Sequence, residues 1–401
     1  MKLSSLSERI SGPGSNIWET HILATLAKER GEDVIVMSIG ESEVNTAAPV
    51  VEAAISALQQ GDTHYLEVEG KETLRRAVAD RQNRLFGLDI TSNNVTITAG
   101  TQNALFMAAS LLLDPGDEVI VADPMYVTYH ATLSATGAKI VRLRCPRDND
   151  FLPDITKLES LVTKKTKAIF FATPVNPTGV VFDTKSLEAI ADIATRYDLW
   201  VVADEVYSEL IFEGTHKSIA TLPGMKSRCI TIGSLSKSHC MTGWRSGWAI
   251  GPAEFSNRAA AFCLNVTYGL PGFIQEAAIV ALQSDISDTR ELYRQRRDFA
   301  LKELSDVPNV ECLCPQSGMF VLLSVEKTGM DSTTFARELY KQTGVSVLDA
   351  QAFGEDLRGM VRISFALEYD LLQSGLNRIK NFLRLKSRSQ ESLKNTATDE
   401  F

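Results

Sequence analysis

The sequence predicts an α/β protein with two parts: a large domain whose mainly parallel sheet lies between helices, and a smaller α+β domain. Three observations predict it. Short runs rich in Val and Ile alternate along the chain with longer helical patterns, the order expected of a parallel sheet with crossover helices. Two of these runs, 168–172 and 199–203, are apolar without alternation, as strands buried on both faces must be. Beyond about residue 290 the pattern changes to a long charged helix over 290–304, then to strands and helices that end near Leu385.

Taken in order, the strands of the large sheet are expected at 95–98, 119–122, 140–143, 168–172, 200–204 and 230–232. The large domain is placed at 46–299. The small domain takes 300–385 together with residues 1–45, which fold back onto it. From 386 to 401 the chain is polar, carries a Ser-Arg-Ser-Gln-Glu-Ser run and lacks an apolar period, so it reads as a disordered tail.

Composition excludes several function classes. Lys and Arg total 41 against 50 Asp and Glu, a formal charge of −9, so the protein as a whole does not suit coating nucleic acid or anionic membrane. The most apolar stretch, 104–113, is about half the roughly 20 residues needed to span a bilayer. The first nine residues carry polar side chains and an acid, Glu8, where a secretion signal needs an unbroken apolar region, so a cytoplasmic location is expected. Six scattered cysteines are expected as reduced thiols. None of the five histidines stands at zinc-site spacing, so no metal is expected.

In an open parallel sheet ligands bind at the carboxyl ends of strands, so the residues just after each strand carry the chemistry. After 95–98 comes Gly100-Thr101-Gln102, a turn opening a helix whose free N–H groups suit a phosphate; it also suits an ordinary strand-to-helix connection. After 168–172, two prolines fix the backbone around Asn176 and display its amide. Asp204 ends a buried strand, with Tyr207 three residues on, and a buried Asp needs a partner. Ser234, Ser236, Lys237 and Arg245 gather hydroxyls, an amine and a guanidinium suited to a phosphate beside a reactive lysine.

The ordered series Tyr65, Gly100-Thr101-Gln102, Tyr126, Asn176-Pro177-Thr178-Gly179, Asp204-x-x-Tyr207, Ser234-x-Ser236-Lys237, Arg245 and Arg362 resembles the class I/II pyridoxal-phosphate aminotransferases of fold type I, over roughly 15–385. The resemblance implies pyridoxal 5'-phosphate as cofactor, bound to Lys237 as a Schiff base, with the same lysine as the base for the α-proton. It implies that Asp204 keeps the pyridine nitrogen protonated, that Asn176 and Tyr207 hydrogen-bond the ring oxygen, and that Tyr126 stacks on the ring. Gly100, Thr101, Ser234, Ser236 and Arg245 are implied around the phosphate, with Gln102 also among the cofactor-binding residues. Tyr65 is implied to reach the cofactor phosphate of a neighbouring subunit, which makes the protein a homodimer. Arg362 is implied to grip the substrate α-carboxylate, beside Asn176, under a loop that contains Gly40.

Within the family, the blocks 61–65, 124–129, 204–210 and 234–239 look most like those of bacterial arginine–pyruvate transaminases. The expected reaction is therefore ping-pong transfer of an amino group from an L-amino acid, arginine or another basic or neutral one, to a 2-oxo acid such as pyruvate. Two departures bear on the donor. Gly40 is followed by Glu41-Ser42-Glu43 where many relatives have proline and an aromatic residue, and the stretch 264–270 lacks an arginine that aspartate-type enzymes use for a side-chain carboxylate. Acids at the pocket mouth favour a cationic side chain. The same cofactor residues also suit a lyase or oxidase, or a non-catalytic regulatory protein, against which Lys237 and Asp204 speak.

Overall fold

Neighbouring residues of one strand pack into two different cores. Ala168 and Phe170 join Leu105, Met107 and Tyr129, while Ile169 and Phe171 join Phe182, Leu187 and Ile190. Successive side chains of a strand point to opposite faces, so this strand lies inside a sheet covered on both sides.

The computed structural model describes residues 1–11 and 15–398. The strands in chain order are β1 (Ile35–Val36), β2 (Val95–Thr98), β3 (Glu118–Asp123), β4 (Lys139–Arg144), β5 (Thr166–Ala172), β6 (Trp200–Asp204), β7 (Cys229–Ser234), β8 (Gly247–Ile250), β9 (Glu311–Leu313), β10 (Phe320–Ser324), β11 (Val345–Ser346), β12 (Leu348–Asp349) and β13 (Met360–Ser364). The large sheet has the order β2-β8-β7-β6-β5-β3-β4. Its β3, β4, β5, β6 and β7 pair in parallel, and only β8 runs antiparallel to its neighbours β2 and β7. The α/β class and the mainly parallel sheet agree with expectation, and each expected strand appears within two residues of its expected ends.

β8 was not expected. It is four residues long and begins on a glycine, so local propensity is weak. Its place is set by close approach instead: a Cβ on Gly247 would lie 2.8 Å from the backbone of Gly100.

Four strands form an antiparallel sheet in the order β12-β13-β10-β9, and β1 pairs in parallel with β11. The chain before residue 45 is thus hydrogen-bonded to the chain beyond 300. The charged helix Ser287–Ser305 buries Tyr293, Arg296, Arg297, Ala300 and Leu304, a stripe at helical spacing. Tyr293, Ala300 and Leu304 share a core with Phe320, Phe335 and Phe365.

The polar stretch expected as a disordered tail from 386 has helical backbone as far as Thr398, the end of the helix Tyr369–Thr398; residues 399–401 lie outside the described residues. No proline or glycine interrupts it after Gly375, and a helix already nucleated on an amphipathic segment extends at little cost. Among the described residues no helix is long and apolar enough to cross a membrane, and no group of His, Cys, Asp and Glu could hold a metal ion. All six cysteines are free thiols.

Candidate active site

Strand ends of the large sheet and residues of the small one enclose a single cavity of about 280 Å³. Thr101 and Gln102 enter it after β2, Tyr126 after β3, Asn176 after β5, Asp204 and Tyr207 at the end of β6, and Ser236, Lys237 and Arg245 after β7. Gly40 and Glu41 follow β1, and Phe320 and Arg362 come from β10 and β13.

Asp204 ends a strand with no polar alternation, so its carboxylate is only 4% exposed. Its Oδ2 accepts the hydroxyl of Tyr129 at 2.8 Å and its Oδ1 accepts the Val206 N–H at 3.2 Å. Both donors are neutral. Burial therefore pushes the carboxyl up to about 6, although the two hydrogen bonds oppose it.

Lys237 donates to the carbonyl oxygen of Gly40 at 2.7 Å. Burial, followed by the nearby Arg362 guanidinium, holds its amine down at about 8. An ordinary lysine titrates near ~10.4. In cofactor-free protein, acylation of Lys237 by acetic anhydride is expected to rise through a midpoint near pH 8. Peptide mapping of the modified lysine across pH 6 to ~11 checks this; a midpoint with the exposed lysines would contradict it.

At the far side, Gly100 caps the helix Thr101–Leu112 with φ of 84°. A side chain there would be strained, and its Cβ would lie 2.3 Å from Arg245 Nη2. The Arg245 guanidinium donates to Thr242 O at 2.7 Å and Ala99 O at 3.1 Å, which holds it beside the helix start and its free N–H groups. Gln102 is committed at both ends, accepting from Thr128 and donating to Thr132. Its amide ties this helix to the helix Val127–Ala135.

Arg362 is 2% exposed in the middle of β13. It donates to Asn176 Oδ1 at 2.9 Å and Ser38 O at 2.8 Å. Its guanidinium lies 3.9 Å from the ring centre of Phe320 and 4.9 Å from that of Phe353. Among the described residues its Nε has no partner, and burial brings the group down to about 10. A buried cation with an unused donor is a built receptor for an anion. Burial raises the hydroxyls of Tyr126 and Tyr207, so both stay protonated and available as donors.

Three sequence-predicted residues do not line the cavity. Gly100 acts through the close approach just described. Ser234 is buried, and its hydroxyl oxygen accepts the Ser236 N–H at 2.9 Å, shaping the turn that presents Ser236 and Lys237. Tyr65 is 84% exposed and meets Tyr268 edge-on at 4.8 Å. The two acids after Gly40 also part. Glu41 lines the cavity and accepts from Thr242 at 3.0 Å, whereas Glu43 accepts the Glu368 N–H at 2.6 Å, outside it.

Sequence reasoning missed Tyr129, Trp18, Thr242 and Phe320. Tyr129 had a signal: it stands three residues after Tyr126, in the first turn of the helix that Tyr126 precedes, and Asp204 required a partner. Trp18 had none.

The chain matches the family model for aminotransferase class I and II over residues 32–379. It is 41% identical over 382 residues to arginine–pyruvate transaminase AruH of Pseudomonas aeruginosa, covering 94% of this chain and 97% of that protein. With an aspartate aminotransferase of Pyrococcus horikoshii it shares 34% over 357 residues, covering 88% of this chain and 91% of the other. A solved structure of the aspartate aminotransferase from Thermus thermophilus with maleate aligns with a TM-score of 0.89 at 31% identity, covering 95% of this chain and 99% of that one. Similarity of this extent in sequence and backbone, spanning all three sheets and every strand end that meets the cavity, leads to one conclusion: the chain belongs to the class I and II aminotransferases, enzymes that exchange an amino group between an amino acid and a 2-oxo acid using pyridoxal 5'-phosphate.

Proposed function

We propose that this aminotransferase takes arginine or another basic or neutral L-amino acid as donor and a 2-oxo acid such as pyruvate as acceptor, in a ping-pong cycle. The residues present fit the cofactor. Asp204 is a buried carboxylate with only neutral hydrogen-bond donors, and a protonated ring nitrogen supplies the cation that it lacks. The helix start after Gly100, with Thr101, Ser236 and Arg245, suits the phosphate, and Ser234 acts there by fixing Ser236. Gln102 braces that helix start. Asn176 and Tyr207 serve the ring oxygen, and Tyr126 the ring face.

The bound cofactor supplies an electron sink, so that the α-proton can leave and the amino group can change carbon. Lys237 anchors the cofactor and then, as a free amine, takes the α-proton; its lowered basicity makes the unprotonated form accessible near neutral pH. Asp204 holds a proton at the ring nitrogen. Arg362, with Asn176 beside it, receives the substrate α-carboxylate through a planar fork, and Gly40 lets the covering loop approach: a Cβ there would lie 2.3 Å from Phe320 Cζ.

The observation that carries the donor class is Glu41 on the cavity wall. Among the described residues the cations of the cavity are Lys237, Arg245 and Arg362, and each has a task, so none of these is left for a side-chain carboxylate, while Glu41 remains to attract a positive one. The name of the similar AruH enzyme supports arginine and pyruvate. We also infer a homodimer, since Tyr65 and Tyr268 form an exposed aromatic pair away from this chain's own cavity. A cytoplasmic location and the division into 46–299 and 1–45 with 300–385 complete the reading.

The test is a panel of arginine, lysine, alanine, aspartate and phenylalanine, each with pyruvate and with 2-oxoglutarate. Arginine is expected to give the highest kcat/KM, and Glu41→Gln to lower the arginine-to-alanine ratio about tenfold, a loss of ~1.4 kcal/mol. Glu43→Gln leaves that ratio unchanged because Glu43 is engaged with Glu368. A preference for aspartate would overturn the donor class.

A further inference from the structure

We propose that Trp18 is a specificity-determining residue whose indole face reads the cationic side chain of the donor, in concert with Glu41; this rests on the basic-donor reading above. Among the described residues four aromatic rings line the cavity: Trp18, Tyr126, Tyr207 and Phe320. Tyr126 and Tyr207 serve the cofactor, and Phe320 lies against the Arg362 guanidinium. Trp18 is the ring that serves neither the cofactor nor Arg362, and Glu41, bonded to the neutral Thr242 hydroxyl, has no ion-pair partner among the described residues.

The position of Trp18 is built rather than incidental. It ends the single turn Ser15–Trp18 just before the helix Glu19–Glu29 and packs on the apolar cluster of Leu322, Leu348 and Phe353. His21 meets the ring edge-on at 5.6 Å. His21 Nδ1 is hydrogen-bonded to Ser38 Oγ at 2.9 Å, and Ser38 Oγ in turn to Ser346 Oγ at 3.0 Å. The carbonyl of the same Ser38 accepts from Arg362, and the chain then runs through Ile39 and Gly40 to Glu41. The element carrying Trp18 is therefore coupled both to the residue that receives the α-carboxylate and to the segment that carries Glu41.

A donor with a long apolar stem and a flat cation matches this combination. The stem covers apolar wall, the charge faces Glu41, and the plane of a guanidinium stacks on an indole better than on any other side chain. The cavity already shows this geometry once, where Arg362 lies against Phe320.

Citrulline is the probe, because it has the shape of arginine with a neutral ureido group. The kcat/KM ratio of arginine to citrulline is measured with pyruvate in wild type, Trp18→Phe, Trp18→Leu, Glu41→Gln and the Trp18→Leu/Glu41→Gln double variant. Trp18→Leu is expected to lower the ratio roughly 3- to 30-fold, the range of a cation–π contact, and Trp18→Phe to lower it less. The double variant loses less than the product of the single losses, since both residues act on one charge. A general disturbance of the fold lowers arginine and citrulline together and leaves the ratio unchanged. An unchanged ratio in both Trp18 variants, in an enzyme that prefers arginine, overturns this inference alone. A wild-type enzyme with no preference for basic donors overturns the donor class and this inference together.

Discussion

Lys237→Ala is expected to abolish transamination. The variant loses the amine that anchors the cofactor and the base that takes the α-proton, and loss of a general base alone costs about 10²–10⁴-fold. In this structure the lysine is partly buried, its amine held at about 8 and bonded to the carbonyl of Gly40. Among the described residues no other lysine lines the cavity. Rapid mixing of cofactor-loaded variant with a donor amino acid, followed by absorbance of the cofactor, separates the two losses. Turnover near the wild-type rate would remove Lys237 from both roles.

Asp204→Asn is expected to act in opposite directions on activity and stability. Without the carboxylate, nothing at the end of β6 keeps the ring nitrogen protonated, and half-reaction rates fall by orders of magnitude while much of the cofactor stays bound. The cofactor-free protein, by contrast, gains stability. Burial raises the Asp204 carboxyl to about 6, so the folded state holds a proton that the unfolded chain has already released. That contribution is full below the unfolded value, near ~3.9, and is lost as pH rises through about 6. At pH 8 an ionised Asp204 costs on the order of 2–3 kcal/mol, which the neutral amide avoids. Urea unfolding of cofactor-free wild type and variant at pH 4 and pH 8 checks it. The variant should gain over wild type at pH 8 and much less at pH 4; equal gains at both would show that ionisation of Asp204 is not the cause.

Both predictions concern residues found from their position after a strand, which shows what kind of information the chain carries locally. A strand covered on both faces writes an unbroken apolar run, so 168–172 and 199–203 were legible, and the rule that ligands meet strand ends led to Asn176, Asp204 and Lys237. Family resemblance supplied the chemistry of those positions. Propensity could not supply β8, whose course follows from contact between Gly247 and Gly100. The polar composition after 386 carries no apolar period, while the backbone there continues the helix Tyr369–Thr398.

Tertiary structure alone decided the partnerships. Tyr129 reaches Asp204 across 75 positions of sequence, and Arg362 reaches Asn176 across 186. Two glutamates in one loop, indistinguishable by composition, part because one meets Thr242 on the cavity wall and the other the Glu368 N–H. Trp18 enters the cavity through packing on residues more than three hundred positions away. Hydrophobic pattern is a property of neighbours along the chain and can be read there. The direction of a side chain at a binding wall depends on hydrogen bonds and contacts between distant segments, which exist only once both sheets have closed on the cavity.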